Sequence, residues 1–230
     1  MKEISAPTKI IKEAVSIFFQ KENFNYFLQI GFISLLLTAI QTIPNYMNNF
    51  GNGFNEEHLQ YLSSNYLQMT ITVILFVVLA IVSLWSQVSN YEALKRAVEK
   101  RDLEFSDTFK SSWKYIWPFF LVSLLTGLAI VFGLVLLIIP GLILSVLYAF
   151  AIFPVFEGRG VMESIKISRE IARGRFWKLV YRLAAITFVV FLVNVLLSLI
   201  PYNIGSLISA LFGGLYLLPF YLLYLEVKTN

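Results

Sequence analysis

Residues 138–178 read IIPGLILSVLYAFAIFPVFEGRGVMESIKISREIARGRFWK. An apolar run follows Pro140-Gly141 and ends at an acid, Glu157. Glu157-Gly158-Arg159-Gly160 forms a joint. Beyond it, Val161, Ile165, Ala172 and Phe176 make one side of a helix-like segment. Lys166, Arg169 and Arg173 follow at i, i+3 and i+7 on another side, with Glu170 placed to pair with Lys166 and Arg173. Gly174 is a natural C-terminal stop for that helix. Apolar span, acidic end, glycine joint and basic surface helix form a unit whose pattern recurs along the chain.

Working outward, hydrophobic residues make up 58% of the 230 residues and charged residues only 14%. A soluble domain carries about a quarter charged residues. The excess is concentrated in long apolar runs, as in a multi-spanning membrane protein. A membrane helix needs about 20 apolar residues, because the hydrocarbon core is ~30 Å thick and a helix rises ~1.5 Å per residue. Six segments fit: 24–43, 67–91, 118–139, 141–157, 176–200 and 203–226. The fourth is short and calls for help from its flanks or a thinner bilayer. The segment Met1 to Gln20 is interrupted by Lys2, Glu3, Lys9, Lys12 and Glu13, so it does not read as a cleavable signal peptide.

The net charge of +4 would suit nucleic acid, but its distribution has a simpler explanation. Lys and Arg cluster at 2–21, 95–114, 159–182 and 228, while 44–66, 139–141 and 200–204 contain none. With six spans, every basic residue falls on one side. The positive-inside rule then places both termini and both basic loops in the cytoplasm, and no nucleic-acid partner is expected.

Taken in order, residues 7–20 form an amphipathic surface helix opened by Pro7. Ile10, Ile11, Ala14, Val15 and Phe18 make its apolar stripe, to lie in the membrane interface or pack on the protein's own ends. Pro44 to Tyr66 reads as the one sizeable outside loop, with a helix start at Asn55-Glu56-Glu57 and a solvated His58. The second span continues as helix to about Arg101. Phe105 to Trp117 is the second surface helix, with Ser106 as its cap. All four tryptophans, 85, 113, 117 and 177, fall near the cytoplasmic interface. Pro140-Gly141 is expected to make a tight outside turn, Pro154 to kink the fourth span, and Pro201 to mark the last outside turn. The third surface helix covers about 161–173.

The order surface helix, span, outside turn, span thus occurs three times, in units of about 7–101, 105–157 and 161–228. Asp107-Thr108-Phe109-Lys110-Ser111-Ser112 aligns with Glu163-Ser164-Ile165-Lys166-Ile167-Ser168 as acid, hydroxyl, apolar, Lys, any, Ser. The first unit matches only in layout. Each unit closes on a carboxylate, Glu92, Glu157 or Glu226, followed by a base. Two readings stand for these acids. One is local interface pairing worth little. The other is a pseudo-threefold bundle in which they pair with bases of neighbouring units, such as Arg175, Lys178 or Lys114. The fold class is therefore an all-α membrane protein, with six transmembrane helices in three repeats of amphipathic surface helix plus helical hairpin.

Chemistry is scarce. There is no cysteine and one histidine, so neither a Cys-His pair nor a zinc-protease pattern can be assembled. No ionisable residue sits mid-span, which disfavours a proton- or sodium-coupled transporter. The polar exceptions are Gln41, Gln87 and Asn194, and Asn194 reads as interhelical glue. Gly-x-Gly at 51–53 and 158–160 lacks the strand-to-helix setting of a phosphate loop. No catalytic residue, metal site or cofactor is expected.

The stretch from Ile139 to Leu179 resembles the membrane domain found fused to bacterial and archaeal glycerophosphoryl diester phosphodiesterases, and related six-span membrane proteins. The matching features are Pro140-Gly141, the aromatic fourth span, Glu157, the helix from Glu163-Ser164 to Ser168, and Gly174-x-Phe176-Trp177. The resemblance covers about 105–226 and implies a six-span fold without an assigned activity. The phosphodiesterase barrel and its metal-binding His/Glu set are absent from these residues. The function expected is non-enzymatic: organising membrane lipids, anionic ones at the cytoplasmic leaflet, or a membrane protein partner. Lys166, Arg169, Arg173, Arg175 and Lys178 are the binding candidates. The alternative is an uncoupled lipid or small-molecule permease, which internal repeats favour.

Overall fold

The computed structural model describes residues 4–50, 66–101, 104–200 and 204–229. His58, the helix start at Asn55 and the turn at Pro201 lie outside the described residues. The fold is all-helical, with no strand among the described residues. Helix α1 is Pro7–Phe18, α2 Lys21–Phe50, α3 Tyr66–Val98 and α4 Phe105–Ser112. A 3-10 turn at Trp113–Tyr115 leads into α5, Ile116–Leu136. Then come α6, Ile138–Leu147, α7, Phe153–Phe156, and α8, Val161–Ala172. The chain closes with α9, Phe176–Ser198, α10, Ile204–Leu211, and α11, Gly213–Thr229.

Helix α1 forms where its spacing predicts, with a narrower buried stripe: Ile11 is half-buried and Val15 is exposed. Ile10, Ala14 and Phe18 are buried at i, i+4 and i+8, while Lys9, Lys12, Glu13, Ser16 and Gln20 face out. The stripe packs on α11, α9 and α2, so its partner is the protein itself. The Phe18 ring stacks on Phe27 with centroids 5.0 Å apart and meets Phe212 at 5.9 Å. Taking each of Ile10 and Phe18 out of water contributes about 1.5–3 kcal/mol.

Three helical stretches are long and apolar enough to cross a membrane: Val73–Val98, Phe105–Leu136 and Phe176–Ser198. The pair α10 and α11, bent by 45° around Phe212, would be a fourth. The second surface helix and the third span therefore join into one stretch through the 3-10 turn. Ser106 does not cap it: the N-cap is Glu104, without a side-chain cap, and the Thr108 hydroxyl donates to Glu104 O at 3.1 Å. Helix α2 runs past Pro44 to Phe50, where the sequence pattern ended it. Proline removes one backbone hydrogen bond but need not stop a helix.

The region 141–157 is where the structure departs furthest from six simple spans. Helix α6 is ten residues long, about 15 Å, half of a ~30 Å core. Pro140 and Gly141 belong to its first two turns, and the reversal lies at Leu137, whose φ/ψ of −161°/136° is extended. After Leu147 the chain tightens into i→i+3 turns, with Ala151 N–H on Tyr148 O at 3.0 Å and Phe153 N–H on Phe150 O at 3.2 Å. Pro154 sits in the first turn of α7, where its missing N–H costs nothing, rather than kinking a continuous helix. The break is held from outside. The Ser168 hydroxyl donates to Leu147 O at 2.7 Å and accepts from Phe150 N–H at 3.2 Å. A side chain inserted into the backbone ladder is a standard cause of a helix break.

The helices settle in a definite order of neighbours. Surface helix α4 packs on α3, and α8 packs on α5, α6 and α7. Helix α5 packs along α6, α2 on α3 and α10, and α11 on α3, α2 and α9. The main core gathers Tyr26, Phe27 and Ile30 of α2 with Leu94 of α3, Phe150, Phe153, Leu179 and Tyr224. A second cluster joins Val88, Phe119, Val122 and Phe156.

Candidate interface site

The last turns of α3, α7 and α11 meet at one end of the bundle. Lys95 Nζ donates to Phe156 O at 2.6 Å, and Lys228 Nζ reaches Glu157 Oε2 at 2.5 Å. The buried Tyr224 hydroxyl donates to Glu157 Oε1 at 2.9 Å. Among the described residues, every Lys and Arg lies in α1, the start of α2, the end of α3, the 100–114 stretch, the 159–182 stretch or the end of α11. The charge asymmetry of the sequence is thus an asymmetry of the bundle.

Helix α8 has two faces at this end. Ser164, Ser168 and Ala172, at i, i+4 and i+8, are completely buried. Small side chains let α8 lie close on α5–α7, and Ser168 fastens it to the break. On the other face Lys166 and Arg169 are exposed; Arg173, exposed too, lies one residue past the helix with an extended backbone (φ/ψ −63°/135°), so the helical i, i+3, i+7 face stops short of it. Lys166 stands 4.0 Å from Glu170 with both side chains mostly in the open, so that pair contributes little. Arg159 and Glu163 pair at 2.9 Å. Arg169, Arg173 and Lys178 make no ion pair among the described residues. Arg175 differs: half-buried, it donates from Nη1 to Val227 O at 2.9 Å, at the carbonyl-rich end of α11. Four of the five basic candidates are therefore exposed, and the fifth is already engaged by the fold. Exposed aromatics share this end: Trp113, Trp117, Trp177 and Tyr181.

The three carboxylates find different partners. Glu92 is buried, pairs with Arg96 of its own helix at 3.2 Å, and leaves Oε2 without a partner. Arg96 in turn donates to Ser111 at 2.9 Å, tying α3 to α4. Glu157 takes Lys228 and Tyr224 from α11. Glu226 accepts the Ser5 N–H at 2.7 Å. Arg182 donates from Nε to Ser5 O at 2.9 Å and also bonds Ile4 O. Among the described residues Glu92 thus pairs within its own helix and Glu157 with Lys228, while Glu226 counts the Ser5 amide among its partners.

The buried hydroxyl pairs are the part the sequence marked without revealing. Thr108 and Ser112 of α4 are completely buried, as are Ser164 and Ser168 of α8. Ser112 accepts from Trp85 Nε1–H at 3.0 Å, donates to Phe109 O at 2.8 Å and shares a hydrogen bond with Ser89 at 2.8 Å. Their i, i+4 spacing on an amphipathic helix was the available signal.

Besides an open apolar hollow between α2 and α4, at Leu28, Phe32 and Phe105, the described residues form two apolar grooves on the bundle's flank. One, of ≈ 910 Å³, lies between α6 and α9, with Phe220 of α11 also lining it. The other, of ≈ 540 Å³, lies between α3 and α5, with Trp113 and Trp117 at its end. A polar pocket of ≈ 310 Å³ lies between α9 and α10, where Ser209 donates to Asn194 Oδ1 at 2.8 Å. The bond joins two helices, as expected of Asn194. No cluster of His, Cys, Asp or Glu able to hold a metal occurs among the described residues. Compared with models of protein families, with curated proteins and with solved structures, the chain matches none.

Proposed function

We propose that this is a non-enzymatic, multi-pass membrane protein that organises anionic lipid, or a membrane protein partner, at the cytoplasmic face. The observation that carries this reading is the two-faced α8. Its serine face is fixed to the bundle, while Lys166 and Arg169 are exposed on the other face, and Arg169, Arg173 just past the helix end and Lys178 make no ion pair among the described residues. Cations left without carboxylates suit phosphate groups, and each adds roughly 1 kcal/mol of attraction near an anionic leaflet. The positive-inside rule puts this end in the cytoplasm, and the family resemblance makes the cell prokaryotic.

The architecture belonging to this reading is six spans in three cyclic units. Each surface helix sits on the second span of the preceding unit: α4 on α3, α8 on α6–α7, and α1 on α11, which closes the circle. Buried pairs recur at i and i+4 in each: Thr108/Ser112, Ser164/Ser168 and Ile10/Ala14.

The test is native mass spectrometry of protein released from vesicles of equal parts phosphatidylglycerol and phosphatidylcholine. Retained phosphatidylglycerol, lost when Arg169, Arg173 and Lys178 are changed to Gln, is the expected result. Indifference to headgroup charge would overturn it. A co-purifying subunit would select the partner-protein branch. The permease alternative draws on the Asn194 pocket and would show as headgroup-independent lipid movement between leaflets.

A further inference from the structure

We infer that the groove between α6 and α9 is a resident site for one acyl chain of an anionic phospholipid. This rests on the lipid reading above and assigns it a place. The groove is floored by α11 at Phe220 and walled by α6, whose ten residues leave much of α9 uncovered. Its lining along α9 runs from Phe176 to Phe191, sixteen residues or about 22 Å, longer than the ~15 Å of one leaflet's hydrocarbon. The volume of ≈ 910 Å³ is within the range of about 300–1,000 Å³ typical of small-molecule pockets.

Two further observations choose the occupant. The first is charge. The groove lining contains no ionisable side chain, yet its Phe176-Trp177 end is flanked in the chain by Arg173 and Lys178, both exposed and without an ion pair among the described residues. A tail in the groove would bring its phosphate to these cations. The second is the contrast between seams. The α3/α5 seam is also an apolar groove, with Trp117 at its end and Lys114 nearby in the chain. The corresponding seam between α10–α11 and α2 is shut: a Cβ on Gly31 would stand 2.1 Å from Leu211 O, and one on Gly214 would stand 2.8 Å from the Phe27 ring. The chain closes one seam backbone to backbone and leaves the other two open, so the openings are not a general looseness of packing.

The experiment is the same native mass spectrometry with two classes of variant. Ala184→Trp fills the groove from an exposed lining position and leaves every charge in place, and Thr187→Trp does so one turn further along. Both are expected to lower the number of retained phosphatidylglycerol molecules by one. Arg173→Gln with Lys178→Gln should weaken retention of that molecule about 30-fold, from two lost surface cations. Circular dichroism and elution volume identify a variant that has not folded, and the second filler then stands in. Retention that falls with the charge variants but not with either filler overturns the groove while leaving the surface reading intact. Fillers that release phosphatidylcholine as readily as phosphatidylglycerol overturn the anionic assignment. Loss of all retained lipid in the parent protein overturns both.

Discussion

At the scale of single residues, the hydroxyl of Ser168 is the most consequential group in the fold. It satisfies both the Leu147 carbonyl and the Phe150 amide. Changing Ser168→Ala would leave these two backbone groups unpaired in a buried place, at about 1–3 kcal/mol each. Ser112→Ala should cost less, because Trp85 keeps its second acceptor, Phe109 O at 2.9 Å. Denaturant unfolding in detergent checks the order. Equal losses would mean that the break is satisfied by something other than Ser168. The sequence held these serines in an aligned pattern but not their burial. Serine sits near the middle of every hydropathy scale, so only the neighbouring backbone decides whether it faces in. The acids were legible as a class and illegible as pairs: Glu226 bonds to an amide at the other end of the chain, which no local spacing encodes.

At the scale of elements, hydropathy counts apolar atoms and is blind to where backbone hydrogen bonds go. That is why 141–157 reads as a span and folds as α6, a run of tight turns and α7. The surface helices were easier in extent than in face: α1 and α8 appear at their expected places, but α8 buries Ser164, Ser168 and Ala172 and leaves Val161 and Ile165 of the expected apolar side only half-buried. The groove was beyond reach, because a seam is defined by two helices distant in sequence. Close approach gives the element-scale prediction. Gly31→Leu would drive a side chain into the Leu211 backbone and force α2 from α10. It should destabilise by several times the effect of Gly127→Leu, where a Cβ meets nothing within 4 Å. Thermal unfolding of the pair measures this, and a similar Tm for both would show that the seam is not tight.

At the scale of the whole molecule, the clearest legible property is the gathering of basic residues at one end. The absence of cysteine makes orientation directly measurable. In intact cells, Lys166→Cys and Lys110→Cys should resist an impermeant thiol reagent and react only after the membrane is opened. Reaction in intact cells would reverse the orientation and remove the anionic cytoplasmic leaflet as a partner. The same end carries the contacts that join early and late parts of the chain. Ser5 is gripped by Glu226 from one side and by Arg182 from the other, while Lys228 closes on Glu157.

That clasp has a consequence for how the chain could be cut and rejoined. Ile4–Ser5 and Glu226–Val227 are already neighbours, so the molecule behaves as a loop of helices fastened by a buckle. A reshuffled chain that starts at Gly160, with its old ends joined by a short linker, would keep α8 on the bundle together with the Ser164 N–H bond to Gly160 O at 2.9 Å, and would open its new ends in the glycine joint.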